Sequence, residues 1–296
     1  MPSFFKMNRN ALINWSIFIF LALIWGSSFI LMKISKDGLT AVQIAAVRIF
    51  SAGLVFLPFS LIHIRKLQRN KIIPVILTGI AGNLVPAFFF AEAIANDIDS
   101  SLAAILNSLT PLCVVVLGLL FFKMKIQPVK IIGILIGLLG LVLLTVSQKN
   151  LQFENMGYAA LVLVATLSYG LNVNMVGHFL KDVNPLHAAT VSLAFMCIPT
   201  GLILGYQDFF HTSLVDPILF WPIMASVFLG VLGSAVATAF FYVLVMRAGG
   251  LFASTITYGI PFVAMGWGII FHEEVTWVQV GCLGIILGGV YLTNKK

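Results

Sequence analysis

Leu102-Ala103-Ala104-Ile105-Leu106-Asn107-Ser108-Leu109-Thr110-Pro111 reappears, at a constant offset of 150 residues, as Phe252-Ala253-Ser254-Thr255-Ile256-Thr257-Tyr258-Gly259-Ile260-Pro261. The correspondence runs on to Gly118 and Gly268, and an offset of 149 then aligns 125–141 with 274–290. Earlier in each copy an offset of 144 sets Trp25-Gly26 against Tyr169-Gly170, and Ser28 against Asn172. The chain therefore divides into two related units, 12–147 and 155–293. What these units are depends on the solvent they fold in.

That solvent is lipid. The 296 residues are 60% hydrophobic and 9% charged, with a mean hydropathy of +1.07. A soluble domain carries roughly 25% charged residues. The apolar side chains here far exceed what an aqueous surface could hide, so the chain is an integral membrane protein. Its net charge of +7 comes from short basic loops between apolar runs, which excludes nucleic acid as a partner. Cys113, Cys197 and Cys282 are odd in number and lie inside apolar runs, as small core residues do. The apolar run from Ala11 to Met32 is too long for a signal-peptide core of roughly 7–15 residues and reads as an uncleaved first span.

A spanning helix needs about 20 mainly apolar residues. Ten such stretches fit, at roughly 12–33, 41–63, 72–95, 101–122, 128–147, 155–178, 186–206, 219–246, 251–271 and 276–293. With both termini in the cytoplasm, the inner loops and tails collect 13 Lys and Arg residues. The outer ones hold only Lys33, Lys36 and Lys149. Five spans per unit is an odd number, so the second copy enters the membrane upside down. The predicted fold is an all-α integral membrane protein of ten transmembrane helices in two inverted five-helix repeats. Inverted repeats give one architecture two arrangements of similar energy, open to either side, which is the physical basis of alternating access in secondary transporters.

The order and spacing of these features resemble the drug/metabolite transporter superfamily, in particular its ten-span, two-repeat EamA-type carriers. The residues that carry the resemblance are Trp25-Gly26-Ser27-Ser28-Phe29, Arg48, the Pro111 region, Pro261 with Phe271-His272-Glu273-Glu274-Val275-Thr276 and Gln279, and the closing 284–290. Nearly the whole chain is covered. Where the family often has an acid after the fourth span, this chain has Lys123-Met124, so a role for that acid survives only at Glu273. The resemblance implies a multi-pass carrier of the bacterial cytoplasmic (inner) membrane, commonly an exporter of amino acids or other small metabolites. It names no substrate, direction, coupling ion or oligomeric state, so proton coupling and a homodimer both stay open.

Polar groups inside the bilayer need a protein partner or a water-filled cavity. Arg48, in the second span, is either a substrate-carboxylate site or a structural clamp. Glu92 and Tyr242, which correspond in the repeat register, are both candidate cavity residues; Glu92 is either a proton-carrying cavity acid or an interfacial one. Trp25 and Ser28 with Tyr169 and Asn172 suggest a polar notch with a flat aromatic wall, to which Asn83 and Asn107 can add. Asn174 and the other asparagines can alternatively serve as interhelical glue. Pro111 and Pro261 break helices at equivalent points, and Gly26 and Gly170 are candidate break or gating positions beside them. Tyr258, one turn before Pro261, is a further candidate wall of the same cavity. Gly133 and Gly137 match Gly284 and Gly288 as GxxxG pairs for close helix packing, and Gly201 and Gly205 repeat the spacing.

Neither a cofactor nor a metal site is predicted. His63, His178, His187, His211 and His272 are scattered, and His272-Glu273 lacks the second histidine of HExxH because residue 276 is Thr276. There is no P-loop, hence no self-contained ATP-driven pumping, and no GxSxG elbow. A non-enzymatic carrier of a small molecule is the leading reading. A passive channel or a membrane-embedded regulator is the alternative, and an intramembrane enzyme fits least.

Overall fold

A computed structural model describes residues 9–96, 98, 103, 106–146, 156–212, 217–260, 262–263, 266 and 276–294. Every regular element among them is helical. Five helical segments precede residue 150: α1 (Arg9–Lys36), α2 (Ala41–Ile64), α3 (Arg69–Ala95), α4 (Thr110–Phe121) and α5 (Pro128–Val146). After it come α6 (Met156–Phe179), α7 (Pro185–Tyr206), α8 (Phe220–Ala248), α9 (Gly250–Ser254, continued by a 3-10 turn over Thr255–Tyr258) and α10 (Trp277–Asn294), with a single helical turn at Phe209–Thr212 between α7 and α8. Six of the described helices are long and apolar enough to cross a membrane, and α4, α5 and α10 are shorter apolar helices. Large hydrophobic side chains cover the outside of the bundle, Phe121, Leu202 and Leu61 among them. This is the outer surface that a lipid solvent favours.

Local sequence sets the ends. Thr40 and Gln43 form a capping box that starts α2, Asn184 caps α7 with Pro185 in its first turn, and Gly249 at φ 88° stops α8 and turns the chain into α9. The interruptions are equally specific. In α3, residues Ile80–Leu84 form a π turn in which the Val85 N–H bonds to the Ile80 carbonyl. Pro86 lies just beyond it. Having no N–H, Pro86 cannot bond back to Gly82, and its ring crowds that carbonyl, so the widened turn relieves both problems. In α8 the π segment Leu229–Val236 occupies the corresponding place in the second copy. Gly230 lies within it, where α8 crosses α2. A side chain there would collide with Ser51 and the Arg48 carbonyl.

The two copies meet through their own counterparts. α2 packs along α7, and α5 packs along α10. Along the second contact Gly133 and Gly137 face Gly289: a Cβ on Gly133 would lie 2.8 Å from the Gly289 carbonyl oxygen. Backbones in such contact gain dispersion without ordering any side chain. The sequence had pointed to Gly284 and Gly288 for this role. The structure turns them outward with nothing near them, and Gly289 is the residue at the seam. Gly201 likewise packs within the chain, its Cβ direction 2.9 Å from the Phe50 ring, whereas Gly205 faces open space.

Gly26 and Gly170 do not break their helices, because α1 and α6 run through them without interruption. They instead allow two equivalent close crossings. A Cβ on Gly26 would sit 2.6 Å from that of Val263, and one on Gly170 would sit 2.7 Å from that of Cys113. Cys113 and Val263 are themselves 150 residues apart. Each repeat's first helix thus packs on the fourth span of the other repeat: α1 on the ninth span, α6 on α4.

Candidate functional site

Between the two copies lies a cavity of about 100 Å³, built from seven helices. α1 contributes Trp25, Ser28 and Met32, α2 contributes Arg48, and the π turn of α3 presents Gly82 and Asn83, with Phe90 further on. Asn107 and Thr110 come from the fourth span, and Tyr169, Asn172 and Val173 from α6. α8 supplies Gly233 from its π segment, then Thr238, Phe241 and Tyr242, and α9 supplies Ala253, Ser254, Thr257 and Ile260. By size it holds several water molecules or a small solute.

α8 is the hub of the wall, tied to four other helices by side-chain hydrogen bonds. Trp25 Nε1 donates to the Gly233 carbonyl oxygen at 2.9 Å, a carbonyl within the π segment. Arg48 Nε donates to Ser234 Oγ at 2.9 Å, and Thr238 Oγ1 donates to Asn83 Oδ1 at 2.9 Å. The Tyr242 hydroxyl donates to Asn172 Oδ1 at 3.4 Å. All four bonds join one repeat to the other or α8 to α6. They fix the aromatic faces of Trp25 and Phe241, whose rings meet edge to face at 5.4 Å.

Eight of the ten residues predicted to line a cavity therefore stand around this one: Trp25, Ser28, Arg48, Asn83, Asn107, Tyr169, Asn172 and Tyr242. Tyr258 and Glu92 do not. Tyr258 is fully buried on the other side of its helix, against Gly137, and its hydroxyl donates to the Ile134 carbonyl of α5 at 3.0 Å. Glu92 is half-buried near the end of α3, where its Oε1 accepts from Asn96 Nδ2 at 3.0 Å. Asn174 is interhelical glue: its Nδ2 donates to the carbonyls of Val114 and Gly170, both at 3.0 Å. Pro111 stands in the first turn of α4, directly after the chain turns at Ser108–Leu109. The equivalent turn of the second copy falls at Tyr258–Gly259; Pro261 and Glu273 lie outside the described residues.

Sequence reasoning missed Phe90, Phe241, Thr238, Ser254 and Thr257. The three hydroxyls carried a readable signal, as polar groups in apolar runs; the two phenylalanines, among 25, carried none. Nor did sequence spacing foresee that His63 and His187 meet, with their Nδ1 atoms 2.9 Å apart where the end of α2 meets the start of α7. Among the described residues no third histidine, cysteine or carboxylate joins them.

The EamA-like transporter family matches residues 13–146 and again 156–295. The chain belongs to that family. Relatives match most of this chain. An uncharacterized transporter of Archaeoglobus fulgidus is 26% identical, with 96% of this chain and 99% of that protein covered. The uncharacterized inner membrane transporter YedA of Escherichia coli is 25% identical over 93% of this chain and 88% of its own. A WAT1-related chloroplastic protein of Arabidopsis thaliana is 23% identical, over 95% and 69%. One crystal structure superposes with a TM-score of 0.69 at 18% identity, covering 96% of this chain and 95% of the other, a likeness of fold. The EamA-like chain is thus a multi-pass membrane protein and a transporter by family.

Proposed function

We propose that this protein is a secondary carrier that exports a small metabolite, such as an amino acid, across a bacterial cytoplasmic membrane by alternating access. Both termini would lie in the cytoplasm, as the distribution of Lys and Arg between the loops favours. One observation carries the reading: a cavity with polar side chains set in a largely apolar wall lies between two copies of one five-helix unit and is lined by residues that correspond between the copies. Trp25 and Ser28 face it from α1, and Tyr169 and Asn172 face it from α6 at the same register. A site shared symmetrically by inverted repeats can be exposed to either side by equivalent motions. The π turns of α3 and α8 border it, and widened turns in otherwise regular helices frequently mark functional positions. The names of the relatives, transporters among them an inner membrane one, support the same class.

A passive channel is the competing assignment, and the two differ in kinetics. Purified protein would be reconstituted in proteoliposomes loaded with amino acids, nucleosides or polyamines, with trace label outside. Saturable uphill accumulation of label, lost in Trp25→Ala, is the expected result. Flux that neither saturates nor shows counterflow would overturn the carrier reading in favour of a channel.

A further inference from the structure

A second hollow lies on the outside of the bundle, against the crossing of α1 and the ninth span. Its volume is about 610 Å³, within the roughly 300–1,000 Å³ of sites that take a whole small molecule. α1 contributes Trp15, Phe18, Ile19, Ala22, Leu23 and Ser27, at the spacing of one helix face. The ninth span and α10 close the other sides. Phe18, Ala22 and Tyr258 are buried and form the floor, while Ile19, Leu23 and Leu287 are exposed and form the rim. Among the described residues no charged side chain lines it, and the Tyr258 hydroxyl is already bonded to the Ile134 carbonyl.

Position and length point to the occupant. From Trp15 to Ser27 the helix rises about 18 Å, a little more than half of the ~30 Å hydrocarbon core. Trp15 stands at the end where indoles favour the membrane interface, and Arg9 starts the same helix about 9 Å further out. The hollow is thus an apolar furrow one leaflet deep, with an indole and a cation at its mouth. With the N-terminus in the cytoplasm, that leaflet is the inner one. Lipid tails are as apolar as these walls, so the force that fills the furrow is dispersion, which an empty furrow forfeits. A single flexible hydrocarbon chain suits it, and the phosphate of the attached headgroup comes to the level of Arg9.

The furrow exists only while α1 rests on the ninth span. A Cβ on Gly259 would lie 2.9 Å from that of Ala22 at the floor, and one turn further along α1 Gly26 meets Val263. We propose that one acyl chain of an inner-leaflet phospholipid occupies this furrow and holds that crossing closed. A ligand that touches both helices binds the closed arrangement and loses its site in the open one, so it shifts the equilibrium by that difference. Phospholipid is therefore a regulatory ligand here and not the cargo. The central cavity lies on the other side of the crossing, where Trp25, Ser28 and Ile260 line it instead. The proposal goes beyond the carrier reading, and it is measured by binding without transport.

The test is native mass spectrometry of the full-length protein, delipidated in detergent and titrated with dipalmitoyl phosphatidylglycerol, its dioctanoyl counterpart or palmitate. One dipalmitoyl lipid should stay bound. The dioctanoyl lipid should bind more weakly, because its chains stop short of Ser27. Gly266→Leu puts a side chain into the furrow from a point where a Cβ meets nothing within 4 Å. It should weaken retention by about tenfold or more. Gly288→Leu, equally open but outside the furrow, should not. Leu23→Trp fills the furrow from α1 and takes the place of Gly266→Leu should that variant not fold. Gly26→Ala, which forces the crossing apart, should weaken retention as well. Unchanged retention in the filling variants, or equal loss in Gly288→Leu, overturns the site. Unchanged retention in Gly26→Ala overturns its coupling to the crossing. Palmitate bound as tightly as the phospholipid overturns the choice of lipid. A dimer in place of the bound lipid, lost in Gly266→Leu, gives the furrow to a second copy and overturns the proposal too.

Discussion

Trp25 Nε1 and the carbonyl oxygen of Gly233, 208 residues apart, are joined by a 2.9 Å hydrogen bond that ties α1 of the first repeat to the π segment of α8 in the second. A π segment spaces its carbonyls differently from an α-helix, and inside the bilayer one that is left over needs a protein donor or cavity water. The indole supplies that donor and leaves its ring face to the cavity. Trp25→Phe keeps a ring against Phe241 and removes the donor. It should cost about 1–3 kcal/mol of stability, the penalty of an unsatisfied buried acceptor. Unfolding in mixed micelles measures it. A loss no larger than a few tenths of a kcal/mol would mean that the π segment does not depend on this bond.

The pairing of Thr238 with Asn83 joins the two π-interrupted helices and can be isolated by a double-mutant cycle. Thr238→Val leaves Asn83 Oδ1 buried without its donor and should cost about 1–3 kcal/mol. In an Asn83→Leu background the same change removes nothing and should cost less by on the order of 1 kcal/mol. Additive losses in the cycle would show that the 2.9 Å contact contributes no coupling between α3 and α8.

Glu92→Gln is expected to leave both transport and its pH dependence unchanged. The residue lies outside the cavity, and glutamine preserves the oxygen that accepts from Asn96. A flattened pH profile of uptake in this variant would instead restore the proton-carrying role that the sequence had left open for it.

Most of the architecture was legible because the decisive signal, an apolar unit written twice, survives without any knowledge of which way each helix faces. Cavity residues were legible where chemistry alone marked them. A guanidinium, several amides and an indole in apolar runs must turn toward something other than lipid. What failed was rotation. Helices of a membrane bundle are apolar on nearly every side, so periodicity does not tell the inward face from the outward one. The π turn at Ile80–Leu84 adds to this by advancing the rest of α3 by one residue, about 100° of rotation. Phe90 consequently faces the cavity, and Glu92, two residues on, faces away. Tyr258 was misplaced for a related reason. The 3-10 winding of Thr255–Tyr258 directs Thr257 into the cavity and Tyr258 toward α5.

The seam between α5 and α10 provides a test of close backbone packing with its own control. A Cβ on Gly289 would lie 2.6 Å from the Gly133 carbonyl oxygen, whereas Gly288, adjacent in sequence, has nothing within 4 Å of where its Cβ would be. Gly289→Ala should force the helices apart and destabilise the protein by about 1–3 kcal/mol, the range for overpacking. Gly288→Ala should be neutral or stabilising by up to about 1 kcal/mol, since alanine is the better helix former. Equal effects at the two positions in a thermal unfolding series would refute the assigned seam.

The crossings at Gly26 and Gly170 are equivalent in the repeats, and inversion would place them on opposite sides of the membrane. The Cβ directions point at Val263 and Cys113, at 2.6 and 2.7 Å, so a methyl group fits at neither position while the crossing stays closed. Alanine at Gly26 should therefore favour the arrangement in which α1 parts from the ninth span. Alanine at Gly170 should favour the one in which α6 parts from α4. If alternating access works by opening one crossing at a time, the two variants shift one equilibrium in opposite directions, each by the strain it relieves. The readout is labelling of a single cysteine at Ser28, in a background lacking Cys113, Cys197 and Cys282, by a membrane-impermeant maleimide. Right-side-out and inverted vesicles report the two faces. Labelling should rise from one face in Gly26→Ala and from the other in Gly170→Ala. A rise from the same face in both, or from neither, would refute the assignment of these crossings as paired gates.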